Sequence, residues 1–234
     1  MNVPGGQSGA HTPNVQTFGA AQSAFAPQRS PSAQSLAAVA DLANERGYED
    51  RARAYLERIM QVLDADIRAG TPIVGLEPAC VSVFREELPN LFANDEQAKR
   101  LSRQVKLFSE VIDARGDDFR PPRLDKRALM HAHCHHKAVL KTDAQLRVLH
   151  KLGLQIDMPD AGCCGMAGSF GFERDKYEVS MRCAERVLLP AVRSADADTL
   201  ILADGFSCRE QIAQCTGRHP LHLAQLLRDA YAQA

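Results

Sequence analysis

The chain has 234 residues, of which 45% are hydrophobic, and a formal net charge of −1. That length and that apolar share support a packed core in one sizeable domain or two small ones. The balanced charge excludes the basic footprint of a nucleic-acid binder. No run approaches the roughly eighteen uninterrupted apolar residues of a membrane-spanning helix.

Residues 1–32 are mostly Gly, Ser, Ala, Gln and Pro, with Arg29 the only Lys, Arg, Asp or Glu. Such a segment buries too little apolar surface to order itself, and is expected to be a disordered tail or a non-native leader. It has no charged start followed by an apolar run, so it does not read as a secretory signal. The expected location is the cytoplasm, free or peripheral to the inner membrane. There, seven cysteines are thiols or metal ligands rather than disulfides.

Ser32 is placed to cap a first helix running to Asn44, with Gly47 ending it. Residues 49–68 carry Tyr55, Leu56, Ile59, Met60 and Leu63 at helical spacing, and Gly70 supplies the stop. A unit then recurs. TPIVGLEPAC (71–80) reads as a short buried strand ending in cysteine, and RALMHAHC (127–134) does the same. LGLQIDMPDAGCC (152–164) reads as a strand, a turn and a cysteine pair, and TLILADGFSC (199–208) as a strand ending in cysteine. Helical patterns fill 94–114, 136–151, 174–189, 208–215 and 221–233. This alternation predicts an α/β fold, a mostly parallel sheet flanked by helices. Ligands of such sheets bind at the carboxyl ends of the strands. Those ends carry Cys80, Cys134, Cys163, Cys164 and Cys208. Cys183 and Cys215 fall inside helical patterns and read as small buried hydrophobes.

Five converging thiols point to a metal centre. Zinc sites are typically built on CxxC or HxxxH pairs, and no CxxC exists here. Adjacent cysteines reach a multi-iron cluster more easily than a single tetrahedral ion. Soft thiolates select iron–sulfur clusters and zinc. Gly165, Gly168 and Gly171 let the backbone pass close to a bulky cluster and aim N–H groups at sulfur. His131, His133, His135 and His136 surround Cys134. They are expected to hydrogen-bond loops and thiolates around the ligands, with direct ligation or proton handling as alternatives. A Cys/His zinc site is the rival reading. Lys137 and the 85–87 segment (REE) read as solvated surface. Glu77 and Pro78 read as shaping the loop that presents Cys80, with an acid–base role for Glu77 as the alternative. Asp204 and Arg209 read as a local salt bridge or cap. There is no GxGxxG after a strand, and GMAGSFG does not have P-loop spacing. A Cys–His nucleophile would leave four cysteines unexplained. A redox pair normally has two residues between its sulfurs.

HAHCHHKA, DAGCCGMAGSFGFE and ADGFSCREQI together resemble the cysteine-rich CCG domain. That domain is found in the heterodisulfide reductase B subunit, in iron–sulfur subunits of glycolate and lactate oxidation, and at the C-terminus of long FAD-linked oxidases. GLEPACVSVFREELPNLF (75–92) is similar to the segment preceding the motif in oxidases of the D-lactate and D-2-hydroxyglutarate dehydrogenase type. The resemblance runs from roughly residue 45 to 234. It implies a 4Fe-4S cluster, cubane or non-cubane, held by Cys134, Cys163, Cys164 and Cys208. Cys80 joins this set from its expected place at a strand end.

Two departures stand out. The motif commonly closes with CxxC, but this chain reads CREQ at 208–211, which leaves Cys80 to replace the absent ligand. Family members usually carry two CCG repeats, and one is visible here. Residues 33–69 then read as the helical remnant of a preceding repeat, and 70–234 as the CCG domain. The implied role is electron transfer for a flavin-bearing partner that oxidises a 2-hydroxy acid, with a second CCG or ferredoxin-like domain as a further partner. Without that partner the chain is not catalytic. The alternatives are a zinc-binding structural module and a non-functional truncated remnant.

Overall fold

The computed structural model describes residues 47–168 and 170–233. The expected tail and the expected helix from Ser32 to Asn44 lie outside them. Two helices open the described chain, α1 (Glu49–Val62) and α2 (Asp64–Ala69). In α1 the buried residues are Ala52, Leu56, Ile59 and Met60, one stripe of a 3.6-residue repeat. The single helix expected over 49–68 is broken at Leu63, where a new helix begins. Gly70 ends α2 in the left-handed region, at φ 73°, and the Thr71 N–H returns to the Asp66 carbonyl.

Strand β1 (Ile73–Gly75) follows, then α3 (Pro78–Ser82), a π turn (Val83–Glu87) and α4 (Leu88–Leu91). The expected helix over 94–114 is instead three elements: α5 (Glu96–Gln104), β2 (Val105–Leu107) and α6 (Phe108–Asp113). Asp95 caps α5 by accepting from the N–H groups of Gln97 and Ala98, at 2.7 and 3.0 Å. Strand β2 pairs in parallel with β1, Ile73 opposite Val105. This pairing overrides the helical pattern because it buries Val105 and Leu107 while leaving Lys106 in solvent. The REE segment is not plain surface either. Arg85 donates to the Val105 carbonyl and pairs with Glu110, and Glu110 accepts from the Leu107 N–H at 2.7 Å.

The second sheet has the order β4-β3-β5, all parallel: β3 is Arg127–Met130, β4 Gln155–Asp157 and β5 Leu200–Leu202. Between β3 and β4 lie a π turn (His136–Leu140) and α7 (Asp143–Lys151). Between β4 and β5 come α8 (Tyr177–Glu185) and α9 (Leu188–Ser194). After β5 run α10 (Phe206–Thr216) and α11 (Leu223–Ala232). The fold is α/β with short parallel sheets.

Alternation along the strands sorts the core. Ala128, Met130 and Leu202 face Val148, Leu149, Leu226 and Leu227. Leu129, Ile201 and Ala203 face Leu188, Val192 and Ile212, in the cluster that also holds Cys164 and Cys208. A further cluster packs Leu56, Ile59, Leu88, Leu101 and Val105 with Cys80 and Leu140. No helix among the described residues is long and apolar enough to cross a membrane.

Candidate metal centre

Four of the five expected cysteines are free thiols connected in a chain of side-chain hydrogen bonds. Cys134 hydrogen-bonds Cys163, Cys163 also bonds Cys164, and Cys164 bonds Cys208. They come from three places beyond the carboxyl ends of the central sheet. Cys134 opens the helical turn after β3, Cys163 and Cys164 lie in the coil after β4, and Cys208 is in the first turn of α10, after β5. The expectation that each cysteine ends a strand is therefore corrected: short strands stop earlier, and the thiols sit on the turns that follow.

Cys80 is also not at a strand end. It is buried within α3. The loop that starts this helix reaches the central sheet at two points. Glu77 accepts from the Phe206 N–H at 2.7 Å, and the Leu76 carbonyl meets His222 Nε2 at 2.9 Å.

The thiol pattern alternates. Cys163 lies below the ordinary thiol range, because Cys134 and then Cys164 donate to it. Cys208 is lowered by Cys164 and also by His131. Cys134 and Cys164 are pushed up, chiefly because each donates to a thiolate neighbour and secondarily by burial. The shifts thus alternate, down at Cys163 and Cys208 and up at Cys134 and Cys164, and a lowered thiol favours the thiolate, the metal-binding form.

Backbone donors reach the same sulfurs. The Gly165 N–H donates to Cys163 Sγ at 3.3 Å, and the backbone at Met166 hydrogen-bonds Cys164. Gly165 sits at φ 94°, and a Cβ there would run into the Ser180 carbonyl oxygen. Gly168 turns at φ 49°. Lys137 donates to Asp160 and to the Ala161 carbonyl, at 3.0 and 3.1 Å. It fastens the coil carrying the cysteine pair instead of standing free in solvent.

His131 hydrogen-bonds Cys208, and His133 Nδ1 lies 3.9 Å from Cys134 Sγ. His133, Cys134 and His135 bring their ligand atoms within 4.8 Å of one another. His133 is held below the ordinary histidine range by burial, and so is His136. His131 Nε2 and His135 Nδ1 are buried without a hydrogen-bond partner. Buried polar atoms left open in this way fit a group that the protein alone does not supply. Together with the linked sulfurs, they make this set a fitting site for a thiolate-bound metal centre.

Gly205 was not legible as a contributor to the site. Gly205 packs so tightly that a Cβ would meet the His133 ring at 2.6 Å and Cys208 Sγ at 3.2 Å. Asp204 is not paired with Arg209. Its carboxylate accepts from Gln145 and from the Leu223 N–H, while Arg209 donates to the carbonyls of Ala203 and Asp204. Cys183 and Cys215 lie in α8 and α10 as expected but are only half buried, and Cys215 Sγ contacts Met181 Sδ at 3.8 Å.

The D-2-hydroxyglutarate dehydrogenase of Pseudomonas putida is 31% identical over 162 residues, which are 66% of this chain and 15% of that protein. The C subunit of the anaerobic glycerol-3-phosphate dehydrogenase of Escherichia coli is 25% identical over 191 residues, 80% of this chain and 47% of that protein. The chain is a homologue of parts of known dehydrogenases. A third such match is the D-2-hydroxyglutarate dehydrogenase of Pantoea ananatis, 27% identical over 182 residues, which are 75% of this chain and 17% of that protein. The chain thus spans less than half the length of each of these relatives. No family model matches the chain. No solved structure matches it.

Proposed function

We propose that this chain is the iron–sulfur electron-transfer module of a FAD-linked 2-hydroxy-acid oxidoreductase. The observation that carries the reading is the linked sulfur set of Cys134, Cys163, Cys164 and Cys208 beyond the strand ends. These four residues would hold a 4Fe-4S cluster, with Cys80 as the fifth thiol. When bound, the cluster supplies one-electron transfer. The chain's own residues lower the pKa of Cys163 and Cys208, donate backbone N–H groups to two sulfurs, and keep water away by burying Cys164 and Cys208.

The names of the relatives support two further parts of the proposal. D-2-hydroxyglutarate dehydrogenase supports a 2-hydroxy acid as the electron donor, oxidised on a flavin-bearing partner or domain. The C subunit of a glycerol-3-phosphate dehydrogenase supports a module that works as a separate polypeptide. Within this proposal, 33–69 descends from a preceding repeat and 70–234 is the CCG domain.

The test is anaerobic purification with iron, sulfide and zinc analysis and an absorption spectrum. The expected result is about four irons and four sulfides per chain with a brown colour. The grouping of His133, Cys134 and His135 favours one rival, a zinc module. About one zinc per chain without sulfide would establish that rival instead.

A further inference from the structure

We propose that Glu77 is a positioning residue that fastens the helix carrying Cys80 to the helix carrying Cys208, so that both thiols serve one centre. The single centre rests on the iron–sulfur reading above; the fastening stands on geometry. Glu77 is the N-cap of α3, where one carboxylate oxygen accepts from the Ala79 N–H at 3.4 Å. Its other oxygen accepts from the N–H of Phe206, the first residue of α10, at 2.7 Å. One side chain thus caps two helices, with Phe206 lying 129 positions after Glu77 in the sequence.

The reason lies at Gly205. It is the N-cap of α10 and has no side chain with which to cap. Serine, threonine, asparagine or aspartate there would bring a Cβ against the His133 ring and Cys208 Sγ. The orphan N–H groups of α10 therefore take their acceptor from outside the helix. The residue before Glu77 gives a second attachment. His222 Nδ1 accepts from the Ala224 N–H, so its Nε2 carries the hydrogen and donates to the Leu76 carbonyl. Residues 76 and 77 thus hold the starts of α10 and α11 together.

Two variants isolate the bond. Glu77→Asp keeps a good cap on α3 but is one methylene too short to reach Phe206. Phe206→Pro deletes the donor at the helix position where proline is best tolerated, and the ring lost with it is half exposed. Both are made in the full chain as metal-free protein. Hydrogen exchange is read at the Phe206 amide in Glu77→Asp, and alkylation of Cys80 by iodoacetamide is read in both.

The expected outcome is exchange at Phe206 about tenfold faster in Glu77→Asp, with Ala79 unchanged, and Cys80 alkylation about tenfold faster in both variants. Glu77→Gln keeps one accepting oxygen at full reach, so it is expected to restore wild-type exchange at Phe206 and wild-type Cys80 alkylation while giving up the weaker bond to Ala79. Unchanged Phe206 exchange in Glu77→Asp, or wild-type Cys80 alkylation in Phe206→Pro, overturns the fastening. After loading with iron and sulfide, both variants are expected to give the paramagnetic resonance spectrum of Cys80→Ser, and a wild-type spectrum overturns the positioning of Cys80. If wild-type protein takes up no iron, the iron–sulfur reading fails, while the exchange and alkylation results still decide the fastening.

Discussion

Cys163 and Cys164 are neighbours in sequence but serve two separate bonds, Cys163 to Cys134 and Cys164 to Cys208. Each is therefore indispensable to the linked set. Cys163→Ser or Cys164→Ser is expected to abolish iron binding, and Cys183→Ser on α8 to leave it intact. Equal iron content in all three would show that the cysteines were sorted wrongly. Gly165 carries a different constraint. Alanine there would have to hold φ 94° and displace the Ser180 carbonyl. Gly165→Ala is expected to lower stability by about 2–4 kcal/mol, read by urea unfolding. Glu77 sets a pH dependence. Burial raises its carboxyl from 4.5 to about 7, so the folded chain takes up a proton that the unfolded chain has released. Stability of the metal-free protein should therefore fall as pH rises from about 4.5 to about 7, and Glu77→Gln should remove that slope. An identical slope in the variant would assign the effect to another group.

At the scale of elements, the stretch 94–114 shows where pattern reading stops. Val105, Phe108, Val111 and Ile112 fit a helix as well as they fit the observed strand and helix. What decides is β1, a partner some thirty residues upstream whose parallel pairing buries Val105 and Leu107. Arg85 and Glu110 then hold the junction. Glu110 caps the Leu107 N–H while its ion pair aims Arg85 at the Val105 carbonyl. Glu110→Ala removes both bonds and leaves Arg85 half buried without its carboxylate. Its expected cost is about 1–3 kcal/mol, measured by thermal unfolding. A melting temperature equal to wild type would mean that solvent satisfies both groups. By contrast, the apolar stripe of α1 and the stop at Gly70 were legible, because a row of apolar residues and a glycine in the left-handed region are local properties.

Over the whole molecule, the proposed centre would join segments that are otherwise held by separate cores. Cys80 belongs to the cluster of α1, α5 and β2, and Cys164 and Cys208 to one face of the central sheet. A metal group bound across them would stabilise the folded chain by mass action. Chelation is expected to lower the melting temperature of loaded wild-type protein and to leave Cys163→Ser unchanged. Equal shifts in both would show that the metal sits elsewhere.

The amino-acid order by itself determined the α/β class and the grouping of four thiols after the strands of the central sheet. Both follow from periodicity and from one-dimensional spacing, which the chain carries locally. The tertiary structure decided which residues complete the site. Gly205 is a glycine because His133 and Cys208 occupy the space of a side chain. Glu77 caps a helix 129 residues away because that helix cannot cap itself. Lys137 holds the coil of the cysteine pair because β4 returns beside β3. Each of these is set by the meeting of distant segments, and no local pattern encodes such a meeting.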